Sequence, residues 1–347
     1  MNLKELADAL SLSPTTVSRA LNGYPEVSEA TRLRVQAAAA QMNYRPSARA
    51  RSLALGRSMA IAHVLPIANQ HEMINPVFSD FIAGAAEVYH EAGYAIMLSL
   101  ADAAHETAIY RDLAAQRSVD GILVHAPTTS DPRIELLTTI GLPFVVHGRK
   151  SDSDAGYSWV DVNNRRAFQS ATQHLIELGH RRIALINGQE NMDFAARRRQ
   201  GYERALAAHG IATDPYIMAA DEMTETNGYD RARAILAQAA PPTAFVVASI
   251  ISALGVRRAI EEAGLKLGRD VSLITHDDDL SYFRNDQTVP IFTAVRSSVR
   301  DAGRRAARLL TALIDGEIAG PATDLMEVDF VIGQSTGPAP GFGEQAS

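Results

Sequence analysis

Two short amphipathic patterns at the start of the chain are separated by only three residues, and no other feature of the sequence constrains the fold as tightly. Leu3, Leu6, Ala7 and Leu10 recur at helical spacing, and so do Val17, Ala20 and Leu21. The link Ser11-Leu12-Ser13 is too short for anything but a tight turn, so two helices must fold back across it. Ser13 can cap the second helix with Pro14 at its first position, where a missing N–H costs nothing. Asn22-Gly23 is suited to close it. A third helix is expected after Ser28, with Glu29 in its first turn and Leu33, Val35, Ala38 and Met42 as its inner stripe. Three short helices around one small core follow, an all-α helix-turn-helix head.

The exposed face of the second helix carries Thr15, Thr16, Ser18 and Arg19, short polar groups and one long donor. Such a face suits a helix laid in a major groove, although the same residues also make an ordinary solvated surface. Charge favours the first reading. Residues 1–58 hold eight Lys/Arg against four acids, about +4, which leaves about −11 of the formal −7 on the remainder. A basic head on an acidic body draws DNA to one end, because phosphate affinity is mostly counterion release.

From Met59 onward, apolar runs such as AIAHVLPIA, YAIMLSL, DGILVHAP, LPFVVHG, RRIALINGQ, AFVVASI and DVSLITHDD alternate with helical ones. Repeated strand–helix–strand units read as α/β architecture with parallel sheets covered on both faces, and the count fits two sheets better than one. Gly93, Gly179 and Gly264 stand where left-handed helix stops lead into the next strand. The chain has no cysteine, which excludes disulfides and thiolate metal sites. The start shows no apolar core of a secretory signal, and no run of about 18 apolar residues appears, so a cytoplasmic protein without a membrane partner is expected.

The run SPTTVSRALNG…VSEATRLRVQAAAAQMNYRPSARARSLA resembles the head of the lactose and purine repressor family almost without interruption. The resemblance implies that Pro14 and Thr15 choose bases, that Ser13, Thr16, Ser18 and Asn22 position the helix, and that Arg19 reaches into the groove. It also implies that SARARSLAL becomes a hinge helix in the minor groove of a near-palindromic operator, with Leu53 as an apolar wedge beside Arg49 and Ala50. The alternative there is a flexible linker whose Leu53 packs on the body. RRIALINGQ, ARRRQGYERAL, PTAFVVAS, DVSLITHDD and TAVRSSVRDAGRRAARLLTALIDG resemble the family's effector-binding domain, which is similar to periplasmic sugar-binding proteins.

That resemblance implies a homodimer and two doubly wound αβ subdomains of the periplasmic-binding-protein type I kind, with a ligand cleft outside the carboxyl ends of the strands. The expected divisions are a DNA-binding domain over 1–46, a hinge over 47–58, an effector domain over 59–334 and a disordered tail over 335–347. Within the effector domain, one subdomain is expected at 59–160 plus 291–318 and the other at 161–290 plus 319–334. Arg198 matches the family's effector arginine and Asp277 its acidic ligand residue. A guanidinium fork facing a carboxylate can hold vicinal sugar hydroxyls, since each group engages two at once. Position after strands or in the first cleft loop nominates Phe78, His125, Arg149, Trp159 and Ser249 as well, the aromatics to stack on apolar sugar faces. Arg197 and Arg199 read as solvated helix faces.

Departures narrow the comparison. Ser249-Ile250 stands where many relatives read ND, and Thr275-His276-Asp277 where they read GYD. With HEMINPVFSDFIAGA and RSSVR, these features resemble regulators of alpha-glucoside utilisation operons, which implies a disaccharide effector. Another sugar, a purine-like effector and a sugar-binding protein without a regulatory role are the alternatives. Catalysis finds no support: His71-Glu72 lacks the second histidine of a zinc motif, and there is neither a nucleophile elbow nor a phosphate-cradling glycine loop. No cofactor and no metal is expected.

Overall fold

The computed structural model describes residues 2–21, 23–44, 56–66, 75–101, 105–150, 156–285 and 288–341. It divides into two compact units, 1–59 and 60–347.

In the first unit, helices α1 (Leu3–Leu10), α2 (Pro14–Leu21) and α3 (Glu29–Gln41) bury Leu6, Ala7, Val17, Ala20, Val27, Val35 and Ala39 against one another. Each start is fixed by a side chain. Asn2 and Glu5 form a reciprocal capping box on α1, Ser13 Oγ accepts the Thr16 N–H at 3.0 Å, and Ser28 Oγ accepts that of Thr31 at 3.3 Å. Arg34 then clips α3 to α1 by donating to the Leu10 carbonyl at 2.5 Å. Leu33, expected inside, is 57% exposed. It lies two positions before Val35 and therefore on the far side of a helix with 3.6 residues per turn.

The second unit contains two six-stranded sheets. One, the N-sheet, is wholly parallel and holds β1 (Ala60–Pro66), β2 (Ala95–Ala101), β3 (Gly121–His125), β4 (Phe144–His147), β5 (Ser158–Val162) and β11 (Thr323–Met326), in the order β11-β5-β4-β3-β1-β2. The other, the C-sheet, holds β6 (Ile183–Asn187), β7 (Met218–Ala220), β8 (Ala244–Val247), β9 (Ser272–Asp277), β10 (Thr293–Arg296) and β12 (Asp329–Val331). Its order is β12-β10-β9-β8-β6-β7, with only β12 antiparallel. Central strands such as GILVH and IALIN are buried at every position, as parallel strands covered on both faces must be.

Helices α4 (Pro76–Ala92), α5 (Glu106–Ala115), α6 (Pro132–Ile140) and α11 (Val299–Asp315) belong to the lobe of the N-sheet. α7 (Asn164–Glu177), α8 (Asp193–Ala208), α9 (Glu225–Leu236) and α10 (Ile250–Glu262) belong to that of the C-sheet. Backbones approach closely where α4 crosses α11, because a Cβ at Gly84 would stand 2.0 Å from the Arg300 carbonyl oxygen and one at Gly303 2.1 Å from that of Phe81. Gly93, Gly179 and Gly264 have φ of 78°, 91° and 75°, the left-handed stops their positions suggest.

Among the described residues the chain changes lobe three times, and the second and third changes are not where the sequence placed the boundaries. The first change follows β5, close to the expected 160/161. The second falls at Ser297, later than 290/291, because β10 pairs with β9 in the C-sheet. The third falls after Met326, later than 318/319, because β11 pairs with β5. The expected disordered tail also needs correction. Ser335 is fully buried and its Oγ bridges the Leu273 carbonyl and the Thr293 N–H, Gly337 bonds with Ser272 and His180, and Ala339 N–H donates to the Leu178 carbonyl. Among the described residues no helix is long and apolar enough to cross a membrane.

Candidate functional site

On α2, Ser13, Pro14, Thr15 and Arg19 are exposed and Thr16 and Ser18 are half-buried. The Thr16 hydroxyl lies 2.8 Å from Ser13 Oγ, which draws it into the cap. Helix α2 thus presents a small polar surface at its N-terminal turn and one long cationic side chain, Arg19, in its last turn, the composition a groove-reading helix needs. Asn22, Arg49, Ala50 and Leu53 lie outside the described residues.

In the second unit a cavity of about 210 Å³ opens where the strand ends of the two lobes meet. A water needs roughly 10–15 Å³ by the same kind of measure, so this space accommodates a small organic molecule. Phe78 and Phe81 of α4, His125 at the end of β3 and His147 at the end of β4 line it from the lobe of the N-sheet. Asn164, Phe194, Arg198, Ser249 and Asp278 line it from the other, and Asp161 borders it at the end of β5.

Arg198 is the most constrained of these groups. Its Nε donates to Asn164 Oδ1 and its Nη1 to the Ala248 carbonyl, both at 2.7 Å, while its guanidinium lies 5.2 Å from the ring centre of Phe168 and 5.0 Å from that of Phe194. Nη2 has no acceptor among the described residues. Burial pushes the guanidinium down to about 10, with Asp278 and Asp161 acting against it. For Asp278, burial alone would favour the neutral acid, but His276, Arg198 and His147 outweigh it and hold the carboxylate below its ordinary range. Asp161 goes the other way: burial raises it to about 6 even though Arg149 Nε donates to its Oδ2 at 2.9 Å. A cation with a spare donor edge, two carboxylates and several aromatic faces can hold a polyhydroxyl compound with apolar flanks.

Of the seven residues nominated from sequence, Phe78, His125, Arg198 and Ser249 line this cavity. Ser249 also caps α10, its Oγ accepting the Ile251 N–H at 3.2 Å. Asp277 does not line it. Side chains alternate along a strand, so His276 and Asp278 turn to the cavity while Asp277 turns back, its Oδ1 accepting the Asp279 N–H at 2.9 Å. Arg149 and Trp159 stand behind Asp161: the guanidinium that binds this carboxylate rests 5.0 Å from the Trp159 ring centre. Trp159 lies two residues, roughly 6.6 Å along the strand, further from the end that reaches the cleft. Sequence reasoning missed Asp161, Asn164, His147, Phe194 and Asp278. The strand exits WVDVNN and FVVHG carried the signal for three of them, since polar groups just beyond a buried parallel strand are candidates by position.

Residues 2–47 match the profile of bacterial regulatory proteins of the lacI family, and residues 172–336 that of a periplasmic binding protein-like domain. The chain is 43% identical over 340 residues to the HTH-type transcriptional regulator AglR of Rhizobium meliloti (strain 1021), covering 98% of this chain and 95% of that one. Among solved structures, a complex of the transcriptional regulator CelR with cellobiose is similar at a TM-score of 0.72 and 29% identity, covering 96% of this chain and 99% of the other. The lac repressor dimer bound to operator and the anti-inducer ONPF is similar at a TM-score of 0.80 and 26% identity, with 97% and 99% covered. With a helix-turn-helix head and a lobed domain whose cleft can hold a small molecule, the chain belongs to the lacI family of bacterial regulatory proteins and is a DNA-binding transcriptional regulator.

Proposed function

We propose that this regulator is a repressor of a carbohydrate utilisation operon, released from its operator by a sugar, an alpha-glucoside disaccharide, bound in the cleft. The observation that carries the proposal is the pairing of Arg198, whose Nη2 is uncommitted among the described residues, and Asp278 in one cavity walled by Phe78 and Phe194. The cellobiose complex of a structural relative that covers nearly the whole chain supports a disaccharide.

In this reading a homodimer sets two heads on a near-palindromic operator in the cytoplasm. Pro14 and Thr15 read bases, Ser13, Thr16, Ser18 and Asn22 seat the helix, and Arg19 reaches along the groove. Arg49, Ala50 and Leu53 enter the minor groove. In the effector site Phe78, His125, Arg198 and Ser249 act together with Asp278 and Asp161. The effector must bind the DNA-free state more tightly than the DNA-bound one, with a coupling of about 1–3 kcal/mol.

The test begins with an operator selected from a random duplex pool, followed by gel-shift titration with maltose, sucrose, trehalose, cellobiose and hypoxanthine. Release by the alpha-glucosides is expected, and Arg198→Ala should hold operator while ignoring them. Release by hypoxanthine alone would move the assignment to a purine-responsive regulator, and release of the Arg198→Ala protein at the wild-type sugar concentration would refute the cleft.

A further inference from the structure

Asp278 and Ser297 meet through a single side chain, that of His276. His276 is 1% exposed at the end of β9, and its Nε2 lies 3.3 Å from Ser297 Oγ. Its Nδ1 lies 3.3 Å from Asp278 Oδ1, within ion-pair reach, and this buried nitrogen makes no hydrogen bond among the described residues. In the neutral imidazole a proton on Nδ1 faces Asp278, whose carboxylate only accepts, and Nε2 is then left to accept from the Ser297 hydroxyl. All three residues border the cavity.

Ser297 is also the place where the chain leaves the C-sheet for α11 and the other lobe. The crossing segment is stitched to the end of β9 by Ser297 N–H donating to the Asp277 carbonyl and Val299 N–H to that of Asp278, each at 3.0 Å. One imidazole therefore touches both the carboxylate that faces the cavity and the segment that joins the lobes. Asp278 has further suitors on both sides, His147 from the lobe of the N-sheet and Arg198 from that of the C-sheet.

We propose that His276 is a positioning residue that couples occupancy of the cleft to the crossover at Ser297. An effector hydroxyl that donates to Asp278 competes with Nδ1 for the carboxylate. The buried imidazole N–H, already short of a well-formed bond, then loses the carboxylate that compensates it electrostatically, and the ring turns toward another acceptor. Its reorientation removes the acceptor from the Ser297 hydroxyl, and the crossover shifts between two hydrogen-bonded arrangements. That segment is the two-state element which sugar and operator both bias. The proposal rests on the reading of the cleft as a sugar site.

The test uses full-length wild type, His276→Phe, His276→Gln and Ser297→Ala, with maltose, sucrose and trehalose as probes. Sugar binding is followed by calorimetry, and operator affinity by gel shift without sugar and at saturation. In the wild type the ratio of the two operator affinities is expected within about 5- to 150-fold. His276→Phe and Ser297→Ala should still saturate with sugar while that ratio falls toward one. His276→Gln should restore it, because its amide N–H can face Asp278 while its carbonyl accepts from Ser297. A wild-type ratio in His276→Phe, failure of His276→Gln despite sugar binding, or complete loss of sugar binding in either hydrogen-bond-deleting variant would overturn the coupling. If His276→Phe does not fold, Ser297→Ala, which removes one oxygen, decides alone. A wild type that binds none of the three sugars refutes the sugar reading, and the coupling falls with it, a pattern distinct from a variant that binds sugar but keeps its operator.

Discussion

Asp80 accepts the main-chain N–H of Ser281 at 2.7 Å across 201 residues of sequence, tying α4 of one lobe to the loop after β9 in the other. Asp80 is 5% exposed, and Arg300 Nη1 stands 3.8 Å from its second oxygen. Main-chain bonds from Thr129 N–H to the Asn191 carbonyl and from Asp193 N–H to that of Pro127 add a second tie between lobes. Asp80→Ala should therefore destabilise this arrangement of the lobes by about 1–3 kcal/mol, since it strands a partly buried donor. Asp80→Asn, which keeps an acceptor, should cost less. Urea unfolding of both variants checks the order, and equal losses would show that the Ser281 bond contributes nothing.

Arg198→Lys preserves charge but cannot donate to Asn164 and Ala248 together while presenting a free edge. Calorimetric titration with the best-binding sugar should show affinity at least tenfold lower, about 1.4 kcal/mol. Wild-type affinity would mean that the fork geometry is irrelevant to recognition.

Gly84→Ala places a methyl group 2.0 Å from the Arg300 carbonyl oxygen, so α4 and α11 must move apart. A loss of about 1–3 kcal/mol is expected from such overpacking. Gly156→Ala, with no atom of the described residues beyond its chain neighbours within 4 Å of the added carbon, is the control and should be nearly neutral. Thermal melts that fail to separate the two variants would contradict the close crossing.

Acid should weaken this fold. Burial pushes His63 down to about 3 and His147, against the pull of Asp278, to about 4, and it holds His125 well below its ordinary value. An unfolded histidine titrates near 6.5, so below that pH the unfolded chain takes up protons that the folded chain refuses. The stability these groups contribute is complete above about pH 6.5 and drains toward the folded values, at up to about 1.4 kcal/mol per pH unit for each histidine. Asp161, raised to about 6, acts with the opposite sign between about pH 4 and 6 and offsets one of the three. Urea midpoints should fall from pH 7 to pH 5, and a rising midpoint would contradict the burial of these rings.

Ser13→Ala removes the oxygen that accepts the Thr16 N–H at the start of α2. Loss of such a cap costs about 0.5–2 kcal/mol. Operator affinity in gel shift should fall with it, and Ser13→Asp, another good cap, should recover the melt but not the affinity, because in the proposed complex its charge would face phosphate. Recovery of both would remove Ser13 from the DNA surface.

The helices of the head, the alternation of strand and helix, and the left-handed stops at Gly93, Gly179 and Gly264 were legible because caps, turns and apolar periods act over a few residues. Arg198, His125, Phe78 and Ser249 were legible by position, each near the end of a strand or in the first helix beyond it. Which residue of His276-Asp277-Asp278-Asp279 faces the cleft was not. That depends on a two-residue alternation whose phase is set by pairing with β8 and β10, and a shift of one residue exchanges Asp277 for Asp278.

The sequence by itself determined the kinds of elements, their order and the sign of charge at each end, since these follow from local spacing and composition. Tertiary structure alone decided that β10 and β11 join opposite sheets, that Arg149 and Trp159 brace Asp161 from behind, and that one imidazole spans Asp278 and Ser297. Those outcomes come from strand pairing and side-chain packing between residues remote in sequence, where no local pattern fixes the partner.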